Sequence, residues 1–181
     1  MTDILVLDLV DKGLVTDQVV LTVGYDIDNL TNPDIRRKYK GEVTTDRYGR
    51  QVPKHAHGTA NLSRPTSSTR LITEAVMELY DRIVNPNLLI RRLNLTANHV
   101  VSEQSAQKKE TYEQLTLFTD YEAREQQRRA EETELEKEKK MQQAVLDIKK
   151  KFGKNAILKG MNFEEGATTI QRNSQIGGHR A

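Results

Sequence analysis

The chain has 181 residues, room for one ordinary domain with extensions, and 30% of them are charged while only 5% are aromatic. With a mean hydropathy of -0.70, that composition is lean for a single globule, so part of the chain is expected to be extended or solvated. The absence of cysteine excludes disulfides and cysteine-ligated metal. No apolar run has signal or membrane-span length, so the expectation is a cytoplasmic protein without a membrane partner, and a net charge of +2 permits anionic partners without requiring them.

In chain order, Ile4 to Leu14 is dense in apolar residues at helical spacing and stops at Gly13, which favours a helix with a broad buried face, with a strand the competing reading for so short a run. Gln18 to Asp26 is β-branched and alternating, which predicts a strand. From Asn29 to Lys54 the composition turns to turn formers and charge, including Arg36, Arg37, Lys38, Arg47 and Arg50 with Tyr39 and Tyr48 between them. An insertion of this length is functional or mobile. One reading is a solvated loop; the other is a flexible arm whose Arg and Lys contact phosphates.

His55 to Ser63 predicts a second strand. His55 and His57 share a strand face, but with no third ligand nearby a metal site is not expected; they could equally meet phosphate or solvent. After Pro65, the cluster Thr66-Ser67-Ser68-Thr69 predicts an N-cap. The helix it opens carries Leu71, Ile72, Ala75, Val76, Leu79 and Ile83 on one face, and Asn85-Pro86 stops it. Leu88 to Val101 predicts the last strand. Its alternation sets Leu93, Leu95 and Ala97 on the buried face and Arg92, Asn94, Thr96 and Asn98 on the open one. The economical arrangement is an α+β domain, a sheet of about four strands with two helices on one face. A further strand before Ile4 would complete a symmetric β-α-β-β-α-β pattern, so a missing first strand is expected.

Gln114, Leu115, Leu117 and Phe118 form a small apolar plug in a polar stretch. It is either a staple for the following helix or a short motif that fills a partner's pocket. Tyr121 to Phe152 predicts one long helix, charged on all sides in its first half. Its second half carries a stripe of Met141, Ala144, Val145, Ile148 and Phe152 expected to dock on the domain or on a second copy. The organisation that results is a domain over 1–102, a linker over 103–119, a charged helix over 120–152 and a tail over 153–181 with one short helix near Thr168 to Gln175.

Gln-Leu-x-Leu-Phe resembles the peptide by which bacterial DNA polymerases and repair factors hold the sliding clamp. In such motifs Gln114 would be the polar anchor and Leu115, Leu117 and Phe118 the plugs. The resemblance widens with Thr2 to Lys12, Leu21 to Asp26, His57 to Leu62 and Ile90 to Leu93, which look like the little finger domain of UmuC-like Y-family translesion polymerases of Gram-positive type. Asn155 to Asn162, Glu165 to Thr169 and Arg172 to His179 are similar to the tail of the same group.

That resemblance implies an accessory domain that grips primer-template DNA through phosphate contacts without reading sequence, tethered to the clamp. Its implied DNA contacts are Arg91, Arg92, Asn94 and Thr96 on the last strand, Thr59 and Asn61 on its partner, and Arg36, Arg37, Lys38, Arg47 and Arg50 in the insertion. The family's catalytic palm and its metal ions would lie upstream, so this chain is expected to be inert alone and to need no cofactor, while the parent would use magnesium. Asp8, Asp11, Asp26 and Asp28 are not read as metal ligands. The competing reading is a free-standing interaction protein that self-associates through its long helix.

Overall fold

Helix α1, Thr2–Asp11, buries Val6 and Leu9, and the chain turns at Gly13 into the long strand β1, Leu14–Tyr25. Leu14 therefore opens the strand; the predicted helix stops three residues earlier. The computed structural model describes residues 1–107, 121–176 and 179–180, and the chain divides into two compact units, Met1–Thr119 and Asp120–Ala181.

In the first unit β1 is followed by two short helices, α2 (Asp28–Thr31) and α3 (Pro33–Lys38), and by a hairpin of β2 (Val43–Thr45) and β3 (Gln51–Pro53). Then come β4 (Ala56–Thr66), α4 (Thr69–Ile83), β5 (Ile90–Asn98), the two-residue β6 (Val101–Ser102) and α5 (Glu103–Gln107). The main sheet has four antiparallel strands with β1 between β4 and β5. β6 continues the register of β5 along β1, pairing Val15 with Val101 and Leu14 with Ser102. Between the two, His99 takes a left-handed φ of 49° and its Nδ1 sits 2.9 Å from Asp17 Oδ1.

From Val19 onward the odd-numbered β1 residues face the helices. Val19, Leu21, Val23 and Tyr25 are buried there, Val19 against Val6, Leu9 and Ile72, the other three around Leu79 and Leu88. Burial of each such side chain contributes about 1.5–3 kcal/mol, the main source of the unit's cohesion. Ser68 caps α4 by accepting from the Leu71 amide, and the Tyr25 hydroxyl accepts from the Asn85 amide just past its end. At Gly58 side chains of α4 press close on the sheet: a Cβ there would stand 2.9 Å from Leu79 Cδ1 and 3.0 Å from Ile83 Cγ2. Leu95 and Ala97 pack into the core as expected, but Leu93, at the far end of β5, is 38% exposed.

The insertion is a folded subelement rather than a flexible arm. Asn29 is fully buried; its Nδ2 lies 2.9 Å from both the Asp26 and Leu89 carbonyls, and its Oδ1 accepts from the Leu89 amide at 2.8 Å. Ile35 and Tyr39 pack on the Leu21–Tyr25 cluster, and the Tyr39 hydroxyl donates to the Glu42 carbonyl at 2.7 Å. The loss of water around its ring raises the Tyr39 pKa. Helices this short are not stable by propensity, so these tertiary contacts hold them.

In the second unit α6 spans Tyr121–Phe152. Its charged half is laced by Glu125 with Arg128 and Arg129, Glu132 with Arg128, and Glu134 with Lys137. The covered line runs through Leu135, Gln142, Val145, Leu146 and Lys149. The predicted stripe is thus displaced: Met141 and Phe152 are 63% and 68% exposed, and Leu146 is buried instead. Lys149 Nζ donates to the carbonyls of Lys154 and Ile157, both at 2.7 Å, turning the tail back at the helix end. A single 3-10 turn (Gly160–Phe163), α7 (Thr169–Asn173), β7 (Gln175–Ile176) and β8 (His179–Arg180) complete it. Among the described residues no helix is long and apolar enough to cross a membrane.

Candidate nucleic-acid interface

With the odd β1 positions buried under α1 and α4, the even positions lie on the other side of the sheet. The register sets them in rows across three strands. Gln18 stands between Asn61 and Asn98, Val20 between Thr59 and Thr96, and Thr22 between His57 and Asn94, with Gly24 opposite Arg92. The flanking Thr59, Asn61, His57, Arg92, Asn94 and Thr96 are exposed and the central side chains half-buried.

The Gln18 and Thr22 rows are hydrogen-bonded across strands, and Arg92 links two rows along β5. Gln18 Nε2 donates to Asn61 Oδ1 at 2.9 Å and Asn98 Nδ2 donates to Gln18 Oε1 at 3.0 Å, a ladder of amides over all three strands. Thr22 Oγ1 lies 2.9 Å from His57 Nδ1, and Arg92 Nε donates to Asn94 Oδ1 at 3.2 Å. The side-chain amides and the hydroxyls of Thr59 and Thr96 retain donor capacity beyond these bonds, so the face offers fixed, mostly neutral donors at strand spacing. Anionic oxygens of a polymer are a fitting ligand for such a surface; a metal ion is not. His55 and His57 meet edge to face with ring centroids 6.4 Å apart, and no group of three His, Asp or Glu side chains gathers as a metal site among the described residues.

Of the residues expected to touch DNA, the sheet brings Thr59, Asn61, Arg92, Asn94 and Thr96 together on this face. Arg91 stands apart from that pattern. The ladder shifts register between Gly24 and Tyr25, leaving Arg91 without a partner on β1, and its guanidinium lies 3.4 Å from Asp26 Oδ2. Sequence reasoning missed Gln18 and Thr22 and gave His57 no definite partner. The signal for them was the even parity of β1, which becomes informative only once its two neighbours are known.

The basic residues of the insertion occupy two places. Arg36, Arg37 and Lys38 form the last turn of α3, with Arg37 3.6 Å from Asp34 in a pair so exposed that it contributes little. Arg47 and Arg50 lie at the tip of the β2–β3 hairpin, where Asp46 binds Arg50 through Nε at 2.9 Å and an Nη at 2.6 Å. That bond holds the Asp46 carboxyl below its usual pKa and raises that of Arg50. Arg47 donates to the Tyr48 hydroxyl and lowers its pKa. Gln114, Leu115, Leu117 and Phe118 lie outside the described residues.

Residues 1–111 match the model of the impB/mucB/samB family C-terminal domain. No curated protein and no solved structure matches the chain.

Proposed function

Because this chain belongs to the impB/mucB/samB family, as the C-terminal domain of a Y-family DNA polymerase of DNA repair and translesion synthesis, we propose that its open sheet face grips primer-template DNA. The observation that carries this reading is the set of rows across β4, β1 and β5: neutral donors in fixed register on a face that neither α1 nor α4 covers. Such donors suit phosphate oxygens and do not discriminate bases, as a polymerase on damaged template requires. In this reading the unit is a little finger domain of the Gram-positive type. Arg92, Asn94, Thr96, Thr59 and Asn61 make direct contacts, with Arg91 and the basic residues of the insertion at the margins.

The peptide from Gln114 to Phe118 tethers the same chain to the sliding clamp. The chain does no nucleotidyl transfer itself; that chemistry and its magnesium belong to the parent's palm. The test is binding of the full chain to a labelled primer-template duplex by fluorescence anisotropy. Arg92→Ala/Asn94→Ala should weaken binding about ten-fold or more, equally for unrelated sequences. Absence of duplex binding by the unaltered chain at low salt would refute the grip.

A further inference from the structure

The open face carries one permanent cation, Arg92, whereas the span from Asp34 to Lys54 has seven Arg and Lys against three Asp and Glu. Within that span the hairpin tip is the most organised feature. The Asp46 carboxylate accepts from the Tyr48 amide at 2.9 Å and the Arg50 amide at 3.0 Å as well as from the Arg50 guanidinium, and Gly49 takes the left-handed φ of 77° that the tight turn needs. Arg50, with its charge met by Asp46, stands 5.0 Å from the Tyr48 ring centroid, and Arg47 stands 4.7 Å from it.

Tyr48 is nonetheless 65% exposed. An aromatic ring this exposed, held by a fixed loop with the guanidiniums of Arg47 and Arg50 over it, offers the rest of its π surface beside positive charge. A paired base has its faces covered by its neighbours in the duplex; an unpaired one is free to stack.

We propose that the tip of the β2–β3 hairpin is a stacking site for an unpaired nucleobase of single-stranded DNA. Tyr48 is the platform, Arg47 the contact to an adjoining phosphate, and Asp46 and Arg50 the residues that position them. This rests on the nucleic-acid reading of the unit, in which Arg47 and Arg50 stand at the margin of the duplex, but centres on Tyr48 and on a different form of the ligand.

The experiment compares the full chain's binding to a short single-stranded oligonucleotide and to a blunt duplex at one salt concentration. Tyr48→Ala should weaken single-strand binding roughly ten- to hundred-fold and leave duplex binding unchanged, while Tyr48→Phe stays close to the unaltered chain. Arg50→Lys keeps the charge but loses the two-pronged bond to Asp46, so it should weaken single-strand binding too. A simple phosphate contact at position 50 would instead be preserved by Lys. The chain has no tryptophan, so Tyr48→Trp provides a unique fluorophore that the single strand should quench and the duplex should not. Unchanged single-strand binding by Tyr48→Ala, with duplex binding intact, overturns the stacking site alone. Tyr48-dependent single-strand binding without any duplex binding supports it and overturns the sheet-face grip instead.

Discussion

Asn29 carries no charge and touches no candidate ligand, yet its amide joins three backbone groups, the carbonyls of Asp26 and Leu89 and the Leu89 amide, in a fully buried place. Removing it strands groups that water cannot reach, and unmet buried polar groups are costlier than the bonds were favourable. Asn29→Ala should lower stability by about 2–3 kcal/mol in urea unfolding and speed amide exchange at Leu89, with α3 and the hairpin loosening together. Asp46 is the second residue whose role is local order. Its pKa is depressed by Arg50, so its contribution to the tip is full above the unfolded carboxyl value, about 3.9, and is lost as pH falls through the lower folded value. The amide resonances of Tyr48 and Arg50 should accordingly hold still between pH 7 and 5 and move only below about pH 4. Asp46→Asn should show the altered positions throughout that range.

The elements that were legible in the sequence are those whose own pattern determines them. The apolar spacing of α1, the Ser68 cap and Asn85-Pro86 stop of α4, and the alternation of β1 and β5 all produced those elements, and α6 runs from Tyr121 to Phe152 as its composition predicts. The insertion was not legible, because α2, α3, β2 and β3 are three to six residues long and are fixed by Asn29, Tyr39 and Asp46 rather than by periodicity. For the site, the outer members of the rows could be read from β4 and β5. The central members, Gln18 and Thr22, depend on which strands flank β1, and a bulge at Gly24 and Tyr25 moves Arg91 out of the pattern. On α6, hydropathy alone selected Met141 and Phe152, but the covered line passes through Gln142 and the Lys149 stem, whose ammonium leaves it to bond tail carbonyls. The two lines differ in their response to truncation. Leu146→Ala should reduce stability by about 2–4 kcal/mol, read as lost helical dichroism on heating, whereas Met141→Ala and Phe152→Ala should fall within about 0.5 kcal/mol of the unaltered chain.

At the scale of the whole molecule, the proposed DNA contacts divide by charge, and salt separates them. A side chain that neutralises a phosphate releases a counterion and steepens the fall of log K with log salt by about 0.9 per contact, while a neutral donor strengthens binding without changing the slope. Replacing Arg36, Arg37 and Lys38 by Ala should therefore flatten the slope by about 2–3, and Asn94→Ala/Thr96→Ala should lower affinity at every salt concentration along a parallel line. The proposed clamp tether would add a third, separable contribution. With the clamp loaded on the same duplex, a second attachment raises apparent affinity through effective concentration, commonly by about 10²- to 10⁴-fold, without any new contact to DNA. Leu117→Ala/Phe118→Ala should abolish that gain and leave both affinity and salt slope on clamp-free duplex where they were. If the double variant instead weakened binding to clamp-free duplex, the Gln114 to Phe118 peptide would have a structural role, as in the staple reading for the following helix, and the tether would have to be given up while the grip remained.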